Sequence, residues 1–357
     1  MNLKLLLSVL ALAVLGAGWV AGAGAGADYG LRSRSASIQA ATPARPELDM
    51  FSAKPRLGVK APTEIGFRIP ATAAEVEKWT LYVPAGYGFG AADPPGTPEG
   101  HVALETASDI GLGDLKAADP AKYVNSPQAQ ACAPGSHAAV WVMKFDGLAS
   151  TPIPTIPIYI DPTSGTDTAL GAYELQACLP LAELESPGGP PLGSRLRTLA
   201  LEFTHLTNPA ASSLYVWRAF VSNPDTSGNP DPSTTYELRA DMPLPAKLTL
   251  TTKYDRKHHR ARLSGRLTTP AMPVAGIPVG LFRPSGLFGW KFVAGTRTAT
   301  DGSYTYRRTV KTSTTFGAAA SSIGDCNGAS IALNGCLDET LAEIDSPSVR
   351  VVVPRHR

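Results

Sequence analysis

Short runs along this chain alternate apolar with polar residues and then stop at Gly, Pro, Asn or Asp, the period-2 signature of half-buried strands. In Trp79–Val83, Trp79, Leu81 and Val83 share one face while Thr80 and Tyr82 take the other. Leu199, Leu201 and Phe203 alternate with Ala200, Glu202 and Thr204. Leu214–Val221 is apolar on both faces except at Arg218, as a central strand would be. Glu64–Ile69, Ala139–Phe145, Ile156–Ile160, Tyr173–Leu179 and Thr235–Arg239 complete the set, separated by turn clusters such as Asp93-Pro94-Pro95-Gly96 and Ser186-Pro187-Gly188-Gly189. The pattern predicts a β-sandwich of about eight or nine strands over residues 56–243, with brief helical turns near Ala74–Lys78 and Pro120–Val124.

Met242-Pro243-Leu244-Pro245 reads as a stiff connector. Beyond it, strand runs recur at Lys247–Lys253, His259–Leu267, Gly276–Phe282, Lys291–Ala299, Ser303–Val310, Thr314–Ala320 and Ser348–Val353. That density predicts a second sandwich over 244–357, with Leu248, Leu250, Leu263, Val279, Leu281, Trp290, Tyr304 and Val351 in its core. Leu263-Ser-Gly-Arg-Leu267, Pro273-Val-Ala-Gly-Ile-Pro-Val-Gly-Leu-Phe282, Trp290 and Thr300-Asp-Gly-Ser-Tyr-Thr-Tyr306 together resemble the bacterial Ig-like and carboxypeptidase-regulatory-like domains of secreted actinobacterial proteins. The resemblance spans about residues 246–320 and rests on structural positions. It implies an immunoglobulin-like β-sandwich in a secreted, often cell-surface, setting, and carries over no catalytic residue.

The N-terminal end reads differently. Lys4, the apolar run Leu5–Val14 and the small-residue sites at Ala23, Ala25 and Ala27 read as a signal peptide over 1–27, with an uncleaved membrane anchor as the rival. Residues 28–55 lack either period and read as a flexible linker. The expected location is therefore extracellular or at the cell surface, with no membrane segment after cleavage. Gly 34 and Pro 32 suit many short strands joined by turns. In an oxidising compartment Cys132, Cys178, Cys326 and Cys336 are expected as disulfides, paired Cys132–Cys178 and Cys326–Cys336 so that each bridge stays within one domain.

Charge divides the chain. The near-neutral total of +2 hides a formal +9 over 244–357 and −8 over 28–243. Arg256, Lys257, His258, His259, Arg260 and Arg262 form a basic stretch, read either as a solvated turn or as a patch contacting anions such as a cell-wall polymer. No nucleic-acid module accompanies it, so nucleic acid is not the expected partner. Attraction between the two halves is a competing explanation of the charge split.

Other chemistry is sparse. Asn223, Asp225 and Ser227, followed by Gly228, resemble the first half of a calcium loop, but Thr234 stands where a bidentate Glu belongs; no other cofactor is expected. Trp79, Tyr82 and Tyr87 are candidates for stacking on sugar rings, against the plainer reading that they fill the core. His101, His137 and His205 are isolated in the sequence, and there is no G-x-S-x-G, H-E-x-x-H or phosphate-loop motif. A glycosidase needs only two carboxylates brought together from distant strands, which a sequence cannot exclude. The leading expectation is thus a secreted, non-catalytic structural or binding protein. The alternative is a secreted carbohydrate-active or other hydrolase with the Ig-like domain as accessory. A pocket with paired carboxylates and an aromatic wall would favour the second.

Overall fold

The computed structural model describes residues 46–69, 73–90, 93–106, 110–124, 127–146, 155–179, 196–226, 228–285, 289–321 and 339–354. The signal-peptide and Cys326–Cys336 assignments lie outside them, as do residues 28–45 of the expected linker. The described chain is all-β. Its first part contains β1 (Glu47–Ser52), β2 (Thr63–Arg68), β3 (Lys78–Val83), β4 (Pro98–Thr106), β5 (Ile110–Ala118), β6 (Ala139–Asp146), β7 (Ile156–Pro162), β8 (Tyr173–Cys178), β9 (Leu196–Phe203), β10 (Ser213–Ser222) and β11 (Tyr236–Leu244). A short helix α1 (Pro127–Cys132) precedes β6. The second part contains β12 (Lys247–Leu248), β13 (Thr251–Asp255), β14 (Arg260–Thr268), β15 (Pro278–Ser285), β16 (Gly289–Arg297), β17 (Ser303–Thr309), β18 (Thr314–Ala320), β19 (Glu339–Leu341), β20 (Ile344–Asp345) and β21 (Val349–Val351).

Twelve strands form one continuous sheet in the order β1-β2-β9-β4-β5-β6-β7-β8-β3-β10-β11-β19. The sheet curls until its ends meet: Phe51 bridges Glu343 in parallel, and the Glu343 N–H donates to Met50 O at 2.7 Å. Curling lets the alternate residues of every strand share one core, in which Trp79, Trp217 and Phe203 are among the largest buried side chains. Cys132 of α1 is bonded to Cys178 of β8, with Cα atoms 5.7 Å apart, over a small apolar cluster with Val140 and Tyr159.

In the second part, β12-β14-β13 with β17 beside β14 form one sheet, and β16-β15-β18-β20 with β21 beside β18 form another. The two enclose a separate core of Leu248, Leu263 and Tyr304 from one side and Val279, Leu281, Phe316 and Val351 from the other. Leu250 is also buried there, whereas the side chain of Trp290 lies outside the described residues.

Four features depart from the sequence reading. The linker assigned to 28–55 contains β1, buried because Leu48 and Met50 enter the core and Asp49 pairs with Arg68 at 2.8 Å. Strands β4 and β5 escape notice because glycines and charges interrupt their alternation. The Met242–Leu244 connector is the end of β11. Pro243 is accommodated there because β19 covers β11 only at Arg239–Asp241, leaving no partner waiting for the missing N–H. The strand β19, late in the second part, belongs to the first sheet, and Ala342 is buried in the first core while Ile344 is buried in the second.

Candidate functional site: an exposed basic sheet face

Strand pairing turns the basic stretch into a surface. Register places Lys253 of β13 opposite Arg262 of β14, and Arg262 opposite Arg307 of β17. The same alternation that buries Ala261, Leu263 and Tyr304 turns Lys253, Arg260, Arg262 and Arg307 outward, all four exposed. None of the four has a carboxylate within ion-pair distance among the described residues. Thr251, Ser264 and Thr305 form the next outward row; the Thr251 hydroxyl donates to Ser264 O at 2.9 Å. The face is an open, shallow concavity.

Arg256–His259 form the turn joining β13 to β14. Asp255 organises it: one carboxylate oxygen accepts from the N–H groups of Lys257 (3.0 Å) and His258 (3.3 Å), and the other contacts His258 Nδ1 at 2.7 Å. The His258 contact leads in holding the Asp255 carboxyl below its usual range. His259 takes a left-handed φ of 50°, and its ring nitrogen lies 3.2 Å from the Tyr254 hydroxyl. All six sequence candidates, Arg256, Lys257, His258, His259, Arg260 and Arg262, thus lie on one turn and strand. Lys253 and Arg307 were missed. Lys253 sits in a run read for its strand pattern alone, and only strand pairing brings Arg307 across from Arg262.

Carboxylates in the first sheet behave in the opposite way. Glu64, Glu202, His101, Asp114 and Lys144 form a cross-strand row over β2, β9, β4, β5 and β6. Glu64 is buried, and burial, reinforced by Glu202 and Asp49, raises its carboxyl to about 8. Burial also leads in raising Glu343, next to Asp345. Asp49, Glu64 and Glu343 line a cleft barely large enough for one water, with Gly66 and Leu341 among its other walls. A sugar ring does not fit there.

Two of the aromatic candidates, Trp79 and Tyr87, face inward, and Tyr82 is covered on the opposite face of β3. Trp79 is 1% exposed and packs on Phe67 with ring centroids 5.4 Å apart; Tyr87 packs on Trp217 at 5.0 Å. Tyr82 is buried edge-on against Phe220. With all three buried, no ring face is left open for a sugar. In the calcium-like loop, the Asp225 carboxylate is committed to the Asn229 N–H (2.9 Å), Asn223 accepts through its backbone from Asp231, and Ser227 lies outside the described residues. Glu77, a buried neighbour of Asp225, is raised to about 8, chiefly by burial.

The histidines separate as well. His137 is nearly fully buried between Asp161 (2.7 Å) and Ala133 O (2.9 Å), against Tyr159, which is a structural set of contacts. His101 pairs with Asp114 at 3.4 Å. His205 lies beside Glu99 and Asp93, a grouping invisible in the sequence because the three come from separate segments. A scan against protein-family models finds no match to this chain, and a search of curated proteins finds no significant similarity.

Proposed function

We propose that this protein is a secreted, non-catalytic binding protein that holds an anionic polymer of the cell envelope on the outer face of β13, β14 and β17. In this reading the two sheets built from β12–β18, β20 and β21 act as an immunoglobulin-like sandwich module. The observation that carries the proposal is the Lys253–Arg262–Arg307 row. Like charges directly opposite one another on a sheet cost stability, and among the described residues no carboxylate lies within ion-pair distance of these three. A polyanion would offset that cost. The adjoining Ser264 and Thr305 hydroxyls suit phosphate or carboxylate oxygens. The shallow shape suits a chain lying across the surface better than a small molecule enclosed in a pocket.

The test is retention of the purified protein on immobilised linear polyphosphate, with neutral dextran as control. Binding should be confined to polyphosphate and fall steeply between about 50 and 200 mM salt, as counterion release requires. The triple reversal Lys253→Glu, Arg262→Glu, Arg307→Glu should abolish it while leaving the far-ultraviolet spectrum unchanged. Salt-independent retention, or full binding by the triple variant, would overturn the proposal.

A further inference from the structure

We propose that Asp93, Glu99 and His205 form a binding site for a divalent transition-metal ion of the Zn²⁺ type, placed where three segments of the first sheet converge. One ligand atom from each residue lies within 4.8 Å of the other two. Tetrahedral ligands at roughly 2.0–2.2 Å from a shared ion lie about 3.4 Å apart, so the side chains would draw together by up to about 1.4 Å on binding.

Each residue is held by a specific local device. Asp93 stands before the turn Pro94–Thr97, closed by a Thr97 N–H to Pro94 O bond of 3.1 Å, with Gly96 at φ 92°. Glu99 is the extra residue of a β-bulge: Pro98 faces Lys116 and Gly100 faces Leu115, so Glu99 has no partner on β5. Bulges re-aim side chains at sheet ends, and here the neighbouring Gly100 is required. A Cβ at that position would lie 1.7 Å from Glu202 O, so strands β4 and β9 could not approach as closely. His205 follows β9 and is tied to Glu99 through Thr204, whose N–H and hydroxyl both donate to Glu99 O at 3.1 and 3.0 Å.

The second observation is the state of Glu99 itself. Its side chain is 0% exposed, and neither carboxylate oxygen accepts from an N–H or a hydroxyl; its hydrogen-bonding neighbour is the Asp93 carboxyl, with which it can only share a proton. A buried carboxylate without a donor is costly, and the groups facing it are a second carboxylate and an imidazole. His205 Nδ1 is 3.9 Å from Glu99 Oε2, too far for a hydrogen bond but suited to two ligands of one ion. The mixed carboxylate–imidazole set without thiolate favours a borderline divalent ion over Cu⁺, and the small number of oxygens disfavours Ca²⁺. His205 is 42% exposed, which leaves the ion's remaining positions open to water. Such an ion would clamp the Asp93 turn and the β9–β10 connection onto the start of β4.

The experiment is calorimetric titration of the chelator-treated full-length chain with ZnCl₂, with CaCl₂ in parallel. One equivalent of Zn²⁺ should bind, and the melting temperature should rise on its addition and fall back with chelator. Asp93→Asn and His205→Ala, at positions open to solvent, should each weaken binding by more than about tenfold, since even the loss of an outer-shell partner costs that much. Glu99→Gln should do the same, and should it fail to fold, the two surface variants still decide the matter. Absence of stoichiometric Zn²⁺ binding would overturn the proposal. So would unchanged affinity in both surface variants, or a preference for Ca²⁺ that survives His205→Ala.

Discussion

The two parts of this chain carry opposite formal charge but store it differently. The first sheet buries its excess: Glu47, Asp49, Glu64, Glu77, Glu99 and Glu202 are all nearly inaccessible. The second part exposes its excess, with Lys253, Arg260, Arg262 and Arg307 aligned on an open face. Buried carboxylates respond by holding protons or by finding cations; exposed guanidinium and ammonium groups remain charged and available to a partner. Opposite net charge is therefore stored as buried, proton-holding carboxyls in one region and as exposed permanent charge in the other.

The largest test of this contrast asks whether the regions are mechanically separate. Ala342 lies in the second half of the sequence but is fully buried in the first core. Ala342→Asp should cost on the order of 3–4 kcal/mol, the penalty of burying an unpaired charge, and should lower the melting transition reported by Trp79, Trp141 and Trp217 fluorescence. A transition unmoved in the first sheet would mean that β19 contributes nothing to it.

A smaller effect concerns pH. Glu64 has its carboxyl raised to about 8 against an ordinary value of 4.5. The folded state therefore binds a proton that the unfolded state has released, and stability is greatest below about 4.5 and is lost as pH rises through about 8. The loss between pH 5 and 8 should be on the order of 2 kcal/mol. Glu64→Gln, an uncharged shape match, should flatten that slope in denaturant titrations. An unchanged slope would show that Glu64 is not the titrating group.

The smallest effect contrasts the exposed face. Arg262→Ala should leave stability within about 0.5 kcal/mol of the parent or raise it slightly, because it relieves like-charge pairing with Lys253 and Arg307. The same substitution should lower the slope of log affinity against log salt for polyphosphate by about one. A marked loss of stability would mean that Arg262 supports the fold itself.

The sequence by itself determined the all-β class, most strands and the core of the second part, because each follows from local alternation or turn chemistry; among three possible disulfide pairings it only favoured Cys132–Cys178, which the fold brings together. Leu248, Leu250, Leu263, Val279, Leu281, Tyr304 and Val351 are buried as their alternation requires. It also placed the basic turn, whose six residues are contiguous or nearly so. What alternation could not decide was which strands become neighbours. A period-2 pattern says which face a residue occupies and nothing about what lies across from it. Tertiary structure alone therefore set Arg307 against Arg262, sent β19 back to the first sheet, and turned Trp79, Tyr82 and Tyr87 from candidate sugar platforms into core. It also gathered Asp93, Glu99 and His205 around one point. A bulge in the β4–β5 pairing aims Glu99, and the pairing of β4 with β9, between residues about a hundred positions apart, brings His205 beside it.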